Sequence, residues 1–115
     1  MVFPTTNDFL EMFGIEPVEV DPSLAFSRYI KKSKDSGIEV DISFSAVMAS
    51  FQVVLRLAMH ELAVISSENV KAIELLQEGS EAGVRVVFDL PNSTSEARVI
   101  FEPEVSCRWW TLRNM

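Results

Sequence analysis

From residue 23 onward, apolar and polar residues alternate with a period of two. Ile38, Val40, Ile42 and Phe44 alternate with Glu39, Asp41, Ser43 and Ser45. A strand points successive side chains to opposite faces, so this run predicts a half-buried strand with one apolar and one polar side. Phe51, Val53, Leu55 and Leu57 repeat the pattern against Gln52 and Arg56. Val84, Val86, Phe88 and Leu90 do so against Arg85 and Asp89, and Ala97, Val99 and Phe101 against Arg98 and Glu102. Val105, Cys107 and Trp109 carry the last apolar face on beyond Pro103. Residues 34–37, 78–83 and 91–96, which separate these runs, are built from turn-forming types. The intervals leave no room for crossover helices. The pattern predicts an α+β, mainly β fold: an antiparallel meander sheet of about six to seven strands with a short N-terminal helix.

That helix is predicted from Thr5-Thr6-Asn7-Asp8 followed by Phe9, Leu10, Met12 and Phe13. Thr5 and Asp8 have capping-box spacing, and Gly14 supplies a left-handed stop. Its apolar side chains fall on one face, so the helix should lie on a sheet. The chain divides into a helix and irregular lead-in over 1–22 and an antiparallel core over 23–113, together one domain. Two segments admit more than one pattern. Residues 67–77 fit a helix capped by Ser67 or a strand with Ile73 and Leu75 inward; a strand is favoured because the flanking runs need antiparallel neighbours. The Ala, Met and Leu content of 45–60 suits a helix, yet the alternation from Phe51 to Leu57 argues for a strand. Ala58-Met59-His60-Glu61 then becomes a hairpin connection with poor turn chemistry.

Composition narrows the function classes. The 115 residues are 48% hydrophobic and 23% charged, enough to bury a core without disulfides or metals. The net charge of −7 repels nucleic acid and anionic membrane surfaces; it either steers cationic partners inward or serves only to keep a small domain in solution. A single cysteine forms no internal disulfide, which points to a reducing, cytoplasmic location. The first residues lack the basic and apolar regions of a secretory signal. The apolar window 44–65 contains Gln52, Arg56, His60 and Glu61, which disfavours a membrane span.

With one cysteine and one histidine, a Ser-His-Asp or Cys-His set and a zinc cluster have too few members, so neither catalysis, cofactor nor metal binding is expected. His60 beside Glu61 could be a base with its orienting carboxylate, but a solvated turn histidine fits better. Cys107 is expected inward with Val105 and Trp109 as an apolar filler, with Arg108 on the opposite face. Glu39 and Asp41 share the polar face of one strand. Without an acidic glycine-rich loop they read as a solvated or partner-facing acidic surface rather than a cation site. Lys31, Lys32 and Lys34 with Arg28 and Tyr29 form a basic stretch that reads as a solvated edge or turn. Trp110 is expected opposite Trp109, either exposed with Arg108 as a binding anchor or covered by Phe9 and Phe13 of the helix.

The stretch Phe44-Ser-Ala-Val-Met-Ala-Ser-Phe-Gln-Val-Val-Leu-Arg-Leu57, Ile65-Ser-Ser-Glu68 and the ending Arg108-Trp-Trp-Thr-Leu-Arg113 resemble a small family of bacterial immunity proteins. These are encoded beside polymorphic toxins, including those of contact-dependent growth inhibition. The resemblance spans roughly residues 3–113. It implies a cytoplasmic inhibitor, monomer or weak dimer, that binds the toxin domain of its own system and blocks its active site. Such toxins are commonly nucleases with basic surfaces, which an acidic partner complements. No binding residue carries over from the family. From the residues themselves, Glu39, Asp41 and Glu61 are expected to engage a basic protein, with Trp110 as anchor. Two other classes fit the composition: a small β-domain for a small molecule or peptide, which needs an apolar pocket, and an acidic chaperone or adaptor of a secreted effector.

Overall fold

The computed structural model describes residues 2–114. Helix α1 (Thr6–Phe13) begins and ends where the sequence signals place it. The Thr5 amide donates to the Asp8 carboxylate at 2.8 Å, and the Asp8 amide donates to Thr5 Oγ1 at 3.1 Å. Gly14, at φ +68°, ends the helix with its N–H on the Leu10 carbonyl. Glycine has no Cβ to clash in this left-handed conformation.

Among the described residues nine strands follow in chain order: β1 (Glu19–Asp21), β2 (Phe26–Lys32), β3 (Glu39–Ser45), β4 (Ser50–Leu57), β5 (His60–Ser67), β6 (Val70–Glu78), β7 (Glu81–Leu90), β8 (Ser93–Glu102) and β9 (Ser106–Arg113). Sequential neighbours pair antiparallel, as the alternation predicts, with one interruption. Strands β1 to β5 form one sheet and β6 to β9 a second. The break falls at Glu68-Asn69. Asn69 adopts φ +64° and its carbonyl accepts the Asp89 amide, while the Val70 amide donates to the Ala49 carbonyl. These bonds carry the chain from the edge of one sheet to the edge of the other. Segment 67–77 is thus a strand from Val70 onward, but it pairs with β7 and not with β5. The meander is longer than anticipated because β1 falls within the lead-in and β2 occupies the lysine-bearing stretch. β1 pairs with β2 only over Phe26–Arg28, so Lys31 and Lys32 pair with β3 alone and stand at a sheet edge, and Lys34 falls in the following turn, in line with the edge-or-turn expectation.

The inner faces of the two sheets meet in one core. Tyr29, Val40, Ile42, Phe44, Phe51 and Val53 come from the first sheet, and Ile73, Val84, Val86, Phe88, Ala97 and Val99 from the second. Helix α1 contributes Phe9, fully buried and stacked on Tyr29 at 3.8 Å between ring centroids. Phe13 meets Phe101 of β8 edge-on. Burying a phenylalanine contributes about 1.5–3 kcal/mol, and Phe9 is the main tether of an eight-residue helix too short to persist alone. The helix therefore lies on the sheets, as expected. Trp109 faces inward, stacked on Phe88 at 5.1 Å and near Phe51 of the opposite sheet. Cys107 packs on the same core, and burial pushes its thiol pKa up. The β4–β5 connection is the two residues Ala58 and Met59, both at positive φ. His60 and Glu61 accordingly start β5 instead of belonging to the turn.

Candidate functional site

The outer face of the five-stranded sheet forms an open hollow of about 860 Å³. Strand register decides what lines it. Across β2, β3, β4 and β5, Arg28, Ser43, Gln52 and Ser66 form one row. Ile30, Asp41, Val54 and Val64 form the next, and Lys32, Glu39, Arg56 and Glu61 the one beyond. Asp41 thus lies diagonally between Arg28 and Arg56, within reach of both.

The contacts are short. Arg28 donates Nε and Nη2 to the two oxygens of Asp41 at 2.9 and 2.8 Å, a bidentate pair. Arg56 Nη2 sits 2.8 Å from Asp41 Oδ2. Glu19 and Glu39 stand at 3.5 Å from Arg28 and 3.6 Å from Arg56 on the outside. Burial alone would raise the Asp41 carboxyl pKa, but the hydrogen bonds from Arg28 and Arg56 outweigh it and hold the group below the usual carboxylate range. Arg28 is shifted upward, chiefly by its hydrogen bond to Asp41. The expectation for Asp41 needs correction here. It is only 4% exposed and roofed by two guanidinium groups, so it is not part of an open acidic surface. Glu39 keeps part of its surface, although Arg56 neutralises it. In the sequence Arg28 belongs to a basic stretch and Arg56 is a polar position in an alternating run; only the pairing register reveals them as partners of one carboxylate.

Glu61 is exposed on the same face, across β4–β5 from Arg56. His60, also exposed, is its neighbour along the strand, so the two side chains diverge to opposite faces and make no base–carboxylate pair. The basic stretch of β2 disperses as well. Tyr29 is in the core, where burial and then the Asp8 charge push its hydroxyl pKa up to about 12. Lys31 reaches Glu102 of the other sheet at 3.3 Å. Among the described residues, no group of three or more histidine, cysteine or acidic side chains is placed to hold a metal ion, and no helix is long and apolar enough to cross a membrane.

Trp110 lies on the outer face of the four-stranded sheet, half-buried beside Glu96 of β8. The helix does not cover it, because Phe9 and Phe13 are engaged with Tyr29, Phe44 and Phe101. Exposed Arg108 shares this face, as the alternation predicts. The row next to Trp110 runs Glu74, Arg85, Arg98, Arg108 across β6 to β9. Arg85 binds both Glu96, through Nε, and Glu74 at 3.0 Å. Its pKa rises, mainly through the Glu96 hydrogen bond.

No family model and no curated protein sequence matches the chain. Among solved structures, a chain of a contact-dependent growth inhibition toxin–immunity protein complex from Klebsiella pneumoniae 342 superposes with a TM-score of 0.85. The alignment covers 96% of this chain and 96% of that one, at 21% identity. The fold is thus shared over nearly the whole length, and at this identity the likeness is one of fold.

Proposed function

We propose that this chain is an immunity protein: a non-catalytic inhibitor that binds the toxin domain of its own contact-dependent growth inhibition system and masks its active site. The observation that carries the reading is the end-to-end fold likeness to a chain of a toxin–immunity complex. Of the two components in such a complex, the inhibitor suits this chemistry better. Its one histidine stands exposed at the start of β5, and its one cysteine is half-buried in β9. The net charge of −7 suits a basic, nuclease-type toxin, whose encounter it would accelerate. The partner-facing acids in this reading are Glu39 and Glu61 on the outer face of the five-stranded sheet. Asp41 acts beneath them by holding Arg28 and Arg56 in place. Trp110 is the anchor on the other sheet. The binder works in the cytoplasm, where an incoming toxin domain would be met.

The small-ligand alternative loses ground because the hollow on the first sheet is open and mixed in lining: Arg28, Asp41 and Arg56, already paired with one another, sit beside Phe26 and Val54, so it is not an enclosed apolar pocket. Co-expression with the toxin domain encoded beside this gene tests the proposal. The expected result is full rescue of growth and a stoichiometric complex by size-exclusion chromatography. Persistent toxicity with no complex at micromolar concentrations overturns it.

A further inference from the structure

Three of the chain's six arginines stand in one cross-strand row on the outer face of the second sheet: Arg85, Arg98 and Arg108. Like charges directly opposite one another on adjacent strands destabilise a sheet. In a chain of net charge −7, with acids available to intersperse, this arrangement is conspicuous. The counterions are unevenly shared. Glu74 and Glu96 both bind Arg85, whereas Arg98 lies 4.0 Å from Glu96 and is 43% exposed. Among the described residues, Arg108 has no carboxylate within ion-pair distance. Arg98 and Arg108 therefore sit side by side, Arg98 partly and Arg108 largely open to solvent, with the Glu96 carboxylate already taken up by Arg85. Trp110, across from Glu96, borders them, and Leu112, 63% exposed, continues the face along β9.

We propose that Arg98, Arg108 and Trp110 form a docking patch for an acidic segment of the partner protein. A carboxylate would sit between the two guanidinium groups, flanked by the indole. Paired guanidinium forks match the planar, bidentate geometry of a carboxylate, and arginine beside tryptophan is the composition in which interface energy concentrates. The overall negative field opposes a polyanion such as nucleic acid at long range. A carboxylate carried on a protein approaches within a larger contact and meets the patch only at short range. This inference rests on the immunity reading and deepens it, since it gives the partner an acidic contact in addition to any basic cleft.

The test uses the full chain and the toxin domain encoded beside its gene, with Arg98→Gln, Arg108→Gln and Trp110→Ala. Affinity is measured by calorimetry at low and at raised salt, and each variant is melted alone. The expected result is a 10-fold or greater loss for each arginine variant and a reduced salt dependence for both. Each arginine variant should melt at or above the wild-type temperature, because a like-charge apposition has been removed. Trp110→Ala should weaken affinity at least 10-fold. A wild-type complex that forms normally and ignores all three substitutions overturns the patch while leaving the immunity reading intact. Absence of any wild-type complex removes both. A duplex oligonucleotide bound at micromolar concentration, and lost in Arg108→Gln, overturns the assignment to a protein carboxylate.

Discussion

Replacing Asp41 with asparagine removes one negative charge from beneath two guanidinium groups while keeping the side chain's size. Three charge-assisted contacts at 2.8–2.9 Å are weakened together. Breaking a fully buried ion pair costs about 3–5 kcal/mol, since the surviving charge is left without a partner. Here Arg28 and Arg56 retain 33% and 23% of their side-chain exposure, so water re-solvates them in part. The expected loss for Asp41→Asn at neutral pH is therefore about 2–3 kcal/mol. Urea unfolding followed by circular dichroism measures it. With a slope of about 1–2 kcal/mol/M for a domain of this size, the midpoint should fall by about 1–3 M at unchanged slope. The pH dependence has a defined sign. The folded-state pKa of Asp41 is depressed, so its contribution is fully present above the unfolded carboxylate value of about 3.9. It is lost as pH falls through the lower folded value. The gap between wild type and variant should thus be constant from pH 5 to pH 7 and close below about pH 4. A difference under about 0.5 kcal/mol at pH 7, or one that persists undiminished at pH 2, would refute the assignment of Asp41 as the charged centre of this cluster.

Other substitutions probe other parts of the framework. The Tyr29 hydroxyl is buried with no hydrogen-bond partner among the described residues, so Tyr29→Phe should leave stability unchanged or raise it by about 1 kcal/mol in a thermal melt; a loss above about 1 kcal/mol would reveal a partner for that oxygen. Met59 is 96% exposed at φ +69°, so Met59→Gly relieves backbone strain without losing contacts and should stabilise by about 1 kcal/mol. A lower melting temperature would contradict the left-handed turn. Gly83 lies where β8 bulges, and a Cβ there would come within 2.1 Å of the Val99 carbonyl oxygen. Gly83→Ala should cost about 2–3 kcal/mol in urea unfolding, and a neutral effect would mean that the two strands separate readily.

The sequence alone determined the local elements. Alternation at period two defines β3, β4, β7 and β8, because one face of each must meet the core and the other must not. The Thr5–Asp8 box and Gly14 bound α1 because capping is a contact between near neighbours in the chain. The inward positions of Cys107 and Trp109, and the outward position of Trp110 with Arg108, follow from the same parity. Three things depended on the tertiary structure. The division into two sheets turns on Asn69 adopting a left-handed conformation, and a two-residue link reads identically whether it closes a hairpin or carries the chain to another sheet. The burial of Asp41 depends on Arg28 and Arg56 arriving from neighbouring strands. The row of Arg85, Arg98 and Arg108 exists only in the register of three strands. Periodicity states which face a side chain takes. Its neighbours across the sheet are set by register, which arises from the turns, bulges and the whole core packing together.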